Sequence, residues 1–192
     1  MKLNHPALIK SLQTAYSAEK AASFAYIGHA KSLKDKTQVA RINEIEQDEW
    51  EHREHVLTIM LEYEIPVSKY LEIKYHLIGK IIGFSCYFIG EFMPYFFAGK
   101  LESGNVCEYF IMMKYFHTLG IHKHDEILYE MGVKEKEHED YFLDCVREAR
   151  WLPLFETIFN WGVKHSYNDV DLADIKPVNQ ATEYCKNYKV EK

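Results

Sequence analysis

The amino-acid sequence predicts an all-α protein built as a bundle of helices. Only nine glycines and five prolines occur in 192 residues, so long stretches lack the residues that break helices or form tight hairpins. Apolar residues recur at steps of three and four along most of the chain, which is the spacing of one helical face. The length and the 15% aromatic content favour a packed domain and exclude a disordered chain.

Periodicity and the positions of proline divide the chain into helical segments. The predicted segments are approximately residues 6–34, 37–63, 68–119, 121–151 and 153–166. Pro6 suits the first turn of the first segment. The third segment is apolar nearly all round, and breaks are expected near 79–83, at Pro94 and near 99–104. Residues 1–168 are expected to form the bundle, and residues 169–192 a polar tail packed on its surface.

The faces predicted to point into the core carry acidic residues and histidines at their centres. The stripe of the first segment is Leu8, Leu12, Ala15, Glu19, Ala22, Tyr26, His29 and Leu33. Glu49 and His52 hold the same central place in the second segment, and Glu135 and His138 hold it in the fourth. Glu102 lies on the stripe of the third segment, where Glu91 and Glu108 remain alternatives.

A buried, unpaired carboxylate costs several kcal/mol, so an ordinary core would not tolerate one on each helix. A shared cation resolves the conflict. Residues three apart on a helix point the same way, so one Glu-x-x-His sequence can supply two metal ligands. The chain order Glu, Glu-x-x-His, Glu, Glu-x-x-His is that of ferritin-like bundles, which hold two iron or manganese ions. The candidate ligands are Glu19, Glu49, His52, Glu102, Glu135 and His138.

Two neighbouring clusters have the composition of metal sites but receive a different interpretation. Glu51, Glu54 and His55 lie toward the polar face of the second segment, so we expect them to be solvated. The sequence HKHDE at residues 122–126 begins a helix, and we interpret it as capping and solvated charge.

Several stretches resemble the demethoxyubiquinone hydroxylases. The matching stretches are EKAASFAYIGH (19–29), EWEH (49–52), GFSCYFIGEFMPYFFAG (83–99), LESGNVCEY (101–109), EKEH (135–138) and PLFETIFNWGVKHSYN (153–168). His29 stands where the family motif has glutamine, and Gly90–Glu91 lacks the basic residue of the family's Gly-(basic)-Glu step. The likeness covers about residues 8–168.

The resemblance implies a ferritin-like four-helix bundle, with an extra apolar helix before the third core helix and a C-terminal helix. It implies an O2-dependent hydroxylase that acts on a quinone-like or other small apolar molecule. The cofactors would be two irons, with manganese acceptable to the same ligands, and NADH or a reductase would supply electrons. Glu49 and Glu135 would bridge the metals, and Tyr26 and Tyr109 would line the substrate pocket unless they are core aromatics. Asp48 and Asp140 are near enough in sequence to support the histidines.

The ligand order also fits other functions. One is a ferroxidase or a rubrerythrin-like peroxidase, and another is a tRNA-modifying di-iron hydroxylase. A metal-free helical binding protein is the fourth hypothesis. The net charge of −6 argues against a nucleic-acid partner. The four cysteines form no CxxC pair, and we expect reduced thiols in a cytoplasmic protein.

Residues 77–99 approach the length of a membrane span, but Lys80, Glu91 and Pro94 disfavour one. Three interpretations follow: this helix caps the bundle core, docks on the inner face of a membrane, or forms a homodimer interface. The aromatic side chains of this region favour docking if they are exposed.

Overall fold

In the computed structural model, which describes residues 2–161, the described chain is all-helical, as predicted. The helices are α1 (Pro6–Ser32), α2 (Lys36–Glu62), α3 (Lys69–Ser85), α4 (Phe92–Thr118), α5 (Asp125–Val146) and α6 (Leu152–Phe159). The predicted tail, residues 169–192, lies outside the described residues. The chain divides after Pro94 into two compact units, here called the first unit and the second unit.

In the first unit, α1 packs against both α2 and α3, and each helix begins with a side-chain cap. Nδ1 of His5 accepts a hydrogen bond from the Leu8 amide at 3.0 Å, with Pro6 in the first turn of α1. The Asp35 carboxylate accepts from the Thr37 and Gln38 amides at 2.9 Å. Such caps satisfy amides that have no partner within the helix.

The predicted break at residues 79–83 is wrong, because α3 runs straight through it. A Cβ added to Gly79 would lie 2.5 Å from the backbone oxygen of Ala21, and one added to Gly83 would lie 2.6 Å from that of Phe24. The glycines therefore let two helix backbones touch. The apolar segment breaks instead between Ser85 and Phe92, where Gly90 has φ +76°.

An ion-pair network joins the three helices of the first unit. The Arg53 guanidinium donates two hydrogen bonds to the Glu72 carboxylate, from Nη1 to Oε1 at 3.0 Å and from Nη2 to Oε2 at 2.9 Å. Lys20 Nζ lies 3.0 Å from the same carboxylate. Arg53 also lies over the Tyr16 ring at 3.5 Å. Burial would raise the pKa of Glu72, but the hydrogen bonds from Arg53 and Lys20 outweigh it and lower that pKa.

In the second unit, aromatic side chains join α4 to α6, and the Tyr95 ring of α4 also lies 6.2 Å from the Phe142 ring of α5. The rings of Phe96, Phe97, Phe155, Phe159 and Trp161 contact one another at centroid distances of 4.9–6.3 Å. The predicted break at 99–104 is wrong, since α4 continues through it; Gly99 instead leaves room for the Trp161 ring. Pro94 lies in the first turn of α4, where proline is tolerated.

The last two helices are shorter than predicted. A turn with Gly120 at φ +67° delays α5 to Asp125, and α5 ends at Val146. Asn160 adopts φ +50° and ends α6 at Phe159; the rest of the predicted segment, to residue 166, lies beyond the described part of the chain.

Cys86 and Cys145 are free thiols, but Cys107 is disulfide-bonded, so the prediction of four reduced cysteines is wrong for Cys107. No helix within residues 2–161 has the length and apolar character that crossing a membrane requires.

Candidate metal centre

A group of three potential metal ligands lies in the first unit, and we call it the first triad. Glu19 projects from the middle of α1, and Glu49 and His52 project from adjacent turns of α2. All three side chains are buried, with at most 5% exposed. One ligand atom from each residue lies within 4.8 Å of the others. A buried stripe on each helix places them there, since Ile45 and Val56 flank the pair on α2 and are fully buried.

The second unit holds an equivalent group, the second triad. Glu102 comes from α4, and Glu135 and His138 come from adjacent turns of α5. These side chains are at most 1% exposed, and one ligand atom from each again lies within 4.8 Å of the others. Nδ1 of His138 lies 3.8 Å from Oε2 of Glu135. The amide of Asn105 donates a hydrogen bond to Oε2 of Glu102 at 2.8 Å.

Each triad has the chemistry of a metal site. Two carboxylates within 4.8 Å of each other in a buried place repel, and a cation between them removes that repulsion. One imidazole and two carboxylates suit Fe²⁺, Mn²⁺ or Zn²⁺. Two atoms bound at about 2.1 Å to one cation lie about 3.0–3.4 Å apart, so the 3.8 Å between His138 and Glu135 needs to close by less than 1 Å. The residues present therefore fit a metal.

The burial of three glutamates distinguishes among the candidate metal ligands of the third segment. Glu102 is buried beside Glu135 and His138. Glu91 is exposed in the turn before α4, and Glu108 is half-buried. The predicted solvation of the neighbouring cluster on α2 is confirmed, because Glu51, Glu54 and His55 are all exposed.

The two predicted pocket tyrosines occupy matching positions. Tyr26 follows Glu19 by seven residues on α1, and Tyr109 follows Glu102 by seven residues on α4. Both rings are buried. A spacing of seven is two helical turns, so each tyrosine lies on the same face as the glutamate before it.

Asp140, which sequence proximity suggested as a support for a histidine, is engaged elsewhere, since its carboxylate lies 2.6 Å from Lys136 Nζ. The same ammonium lies 3.2 Å from Oε2 of Glu139, and Trp161 Nε1 donates to Oε1 of Glu139 at 3.1 Å. Asp48 is half-buried next to Glu49.

Sequence reasoning missed Asn105 and the buried Glu139. The signal for Asn105 was its place three residues after Glu102, which puts an amide and a carboxylate on neighbouring turns. The signal for Glu139 was Lys136 three residues earlier. Both spacings are common on solvated helices, so neither distinguishes a buried site by itself.

A third cluster forms at the turn between α4 and α5, from His117, His122 and Asp125. In the HKHDE sequence, His122, Lys123 and Glu126 are exposed, as predicted, and Asp125 and Glu126 lie in the first turn of α5, but His124 at the N-cap makes no side-chain cap hydrogen bond. His117, in the last turn of α4, was not predicted to take part in a site.

An apolar stripe runs along the outer face of α3 and into the following turn, and we call it the α3 stripe. Its side chains are 55–73% exposed: Tyr70, Ile73, Leu77, Ile81, Phe84 and Phe88. The aromatic residues expected at a docking surface divide into three groups. Phe84, Tyr87 and Phe88 are exposed, Tyr95 and Phe96 are buried in the core of the second unit, and Phe92 and Phe97 are half-buried.

Burial perturbs one imidazole strongly. His29, ten residues after Glu19 on α1, is 2% exposed, and desolvation lowers its pKa to about 4. The side chain is therefore neutral at pH 7, as the glutamine of the family motif would be.

No known protein family matches the chain, and no curated protein or solved structure was found to resemble it significantly. The interpretation of the triads consequently depends on their own geometry and chemistry.

Proposed function

We propose that the protein is a di-iron, O2-dependent hydroxylase that acts on a quinone-like or other small apolar molecule. The observation that carries the proposal is the pair of buried triads, each made of one glutamate and one Glu-x-x-His pair. The resemblance to demethoxyubiquinone hydroxylases supports the choice of reaction.

We further propose that α1, α2, α4 and α5 form a ferritin-like bundle in which the two triads together hold two metal ions. Charge supports this arrangement. The four carboxylates carry four negative charges, and two Fe²⁺ ions carry four positive charges, so the buried site would be neutral. Glu19, Glu49 and His52 of the first triad and Glu102, Glu135 and His138 of the second would hold these ions.

When bound, the metals would supply electrons to O2 and the open positions at which it reacts. The residues of the chain would do the rest. The apolar stripes above and below each triad would exclude water. Tyr26 and Tyr109 would line the pocket from two turns along their helices. Asn105 would hold the Glu102 carboxylate in one orientation through its hydrogen bond.

The α3 stripe supports an apolar substrate. A row of exposed Ile, Leu and Phe side chains is unusual on a monomer and marks a surface that contacts apolar material. We propose that it contacts the surface of a membrane, peripherally, from the cytoplasmic side. Lys74, exposed on the same helix, would contact anionic headgroups, whereas the Lys80 ammonium lies over the Phe24 ring of α1 at 3.8 Å. A homodimer interface is the competing use of the stripe.

The first experiment measures iron in the purified protein and its optical spectrum after anaerobic loading with Fe²⁺ and addition of O2. We expect two irons per chain and an oxo-bridged ferric absorption band. Glu49→Gln should abolish the band, whereas Glu51→Gln, on the exposed face two residues away, should not change it. Less than one metal per chain with no spectral change would favour the metal-free binding protein.

The same preparation separates the competing activities. A hydroxylase couples O2 uptake to an organic product when a quinol analogue and a reductant are added. A ferroxidase consumes O2 with Fe²⁺ alone and accumulates ferric mineral, and a peroxidase consumes hydrogen peroxide instead. Binding of tRNA that falls with salt would favour the RNA-modifying alternative.

Membrane contact is tested by sedimentation with anionic liposomes. Replacing Ile81 and Phe84 with serine should reduce binding, while replacing the exposed Leu61 on α2 with serine should not. If the serine variants bind liposomes normally but change from dimer to monomer in solution, the stripe is a homodimer interface.

A further inference from the structure

The turn between α4 and α5 gathers two imidazoles and one carboxylate outside the candidate metal centre. Nε2 of His117, in the last turn of α4, lies 2.8 Å from both oxygens of Asp125. Nδ1 of His122 lies 3.5 Å from Oδ2 of Asp125. The two imidazole rings are 4.4 Å apart between centroids. One ligand atom from each of the three residues lies within 4.8 Å of the others.

Backbone hydrogen bonds hold this turn in place independently of the three side chains. The amide of Gly120 donates to the carbonyl of His117, and that of Ile121 donates to the carbonyl of Phe116, both at 3.0 Å. Gly120 adopts φ +67°, a conformation that favours glycine. The chain therefore folds back on the end of α4 and brings His122 close to His117.

The spacing of the donor atoms is close to what one metal ion requires. Two atoms bound at about 2.1 Å to a tetrahedral metal lie about 3.4 Å apart. His122 and Asp125 already have this separation, and His117 and Asp125 would need to part by about 0.6 Å. The side chains are partly exposed, so an ion from solution can reach them. A donor set of two imidazoles and one carboxylate binds Zn²⁺ in preference to Mg²⁺ or Ca²⁺.

We propose that His117, His122 and Asp125 bind one divalent transition-metal ion of the Zn²⁺ class, with water completing its coordination. Asp125 precedes Glu135 by ten residues, which is about 15 Å along a helix, so the site is separate from the second triad. The bound ion fastens the end of α4 to the beginning of α5. These helices carry the second triad, and the role of the ion is to stabilise their connection.

The test uses the full chain and Zn²⁺ as the probe. Zinc stoichiometry and affinity are measured by equilibrium dialysis for the wild type, His122→Ala, His117→Ala and the control His55→Ala, which removes an exposed histidine on α2. Both turn variants should bind one zinc fewer per chain or bind it more than about tenfold more weakly. His55→Ala should match the wild type.

Thermal denaturation gives a second readout. Zinc should raise the melting temperature of the wild type by linkage, and His122→Ala should lose that part of the rise. His122 is 63% exposed, so its replacement leaves the fold intact. Equal stoichiometry and affinity in the wild type and in either turn variant would overturn the proposal.

Zinc binding at the turn can be distinguished from zinc binding at the two triads. Zinc that enters the triads would be lost from Glu49→Gln and kept by His122→Ala, and zinc at the turn would show the reverse pattern. A Co²⁺ titration of the same variants adds a spectrum, since four-coordinate Co²⁺ absorbs far more strongly than the six-coordinate ion.

Discussion

The first and second units present the same ligands in different surroundings. In each, a glutamate is followed seven residues later by a tyrosine, and a Glu-x-x-His pair lies on a later helix. The first triad shares α1 with the buried polar residues Ser17, Ser23 and His29. On α4, the buried neighbours of Glu102 include Val106, Phe110 and Met113, and the Asn105 amide donates a hydrogen bond to its carboxylate.

This difference shows that the ligand pattern does not depend on one kind of helix. α1 carries buried serines and a histidine as well as its glutamate, whereas the buried residues that follow Glu102 on α4 are apolar. The Ser23 hydroxyl donates to the backbone carbonyl of Glu19, while the Asn105 amide donates to the carboxylate of Glu102, so the two units support their glutamates in different ways.

The largest expected effect comes from the histidine ligands. His138→Ala should weaken iron binding more than 100-fold, or about 3 kcal/mol, because it removes a ligand and leaves two buried carboxylates. His52→Ala should do the same in the first unit. Iron content after dialysis measures both. If each variant loses one iron and keeps the other, the two triads bind metal independently; full retention by both would show that these residues are not ligands.

The next largest effect is the loss of folding stability when a packed glycine is replaced by alanine, and this loss should differ between the two units. Gly79→Ala should destabilise the protein by about 2 kcal/mol, because the added Cβ meets the backbone of α1 at 2.5 Å. Gly132→Ala on α5 meets only the ring of Phe110 at 2.9 Å, and the gain in helix propensity offsets part of the clash. Urea denaturation compares them, and a larger loss for Gly132→Ala would contradict this account of the packing.

His29 should make the first unit sensitive to acid. Its pKa is about 4 when folded and about 6.5 when unfolded, so between these values the unfolded chain binds more protons. Its contribution to stability is complete above pH 6.5 and is lost as the pH falls toward 4. His29→Gln should reduce the loss of stability between pH 7.5 and pH 5 by about 2 kcal/mol.

Urea denaturation at several pH values measures this slope. The same measurement on His55→Gln, which replaces an exposed histidine on α2, provides the control. An unchanged slope in His29→Gln would mean that other groups account for the acid sensitivity.

The smallest effect concerns Asn105. Asn105→Ala removes the hydrogen bond to Glu102 and should weaken iron binding about tenfold. Asn105→Asp should weaken it further, because it places a carboxylate against the Glu102 carboxylate. Competition with a chelator measures the affinities, and Ser103→Ala on the same helix serves as the control. If Asn105→Ala binds iron as the wild type does, the amide has no positioning role.

The buried acidic residues could be found from sequence because they interrupt an otherwise apolar stripe. Glu19, Glu49 and Glu135 are recognisable this way, and each is buried. The phase of a stripe drifts over a long helix, however, since 3.6 residues per turn differs from a 3.5-residue repeat. On α5, steps of four and three from His138 lead through Phe142 to Cys145, which is exposed, whereas Val146 is buried.

Contacts between distant residues were beyond the reach of such patterns. Gly79 and Gly83 suggested a helix break when considered alone. Their actual role is to contact the backbone of α1, more than fifty residues earlier in the chain, and no local pattern reveals that contact. The cluster at the α4–α5 turn needed His117, which no local motif joins to the HKHDE sequence. A turn of left-handed backbone at Gly120 creates that contact.

The glycine contacts of α3 also bear on how this sequence can change over generations. The inner face of the helix has no room for a side chain at Gly79 or Gly83, so substitutions at these two positions should be selected against. The side chains of the α3 stripe on the outer face are 55–73% exposed, so apolar residues of different shapes fit there equally well. Among descendants of this chain, we expect α3 to keep its small residues while its isoleucines, leucines and phenylalanines exchange freely with one another.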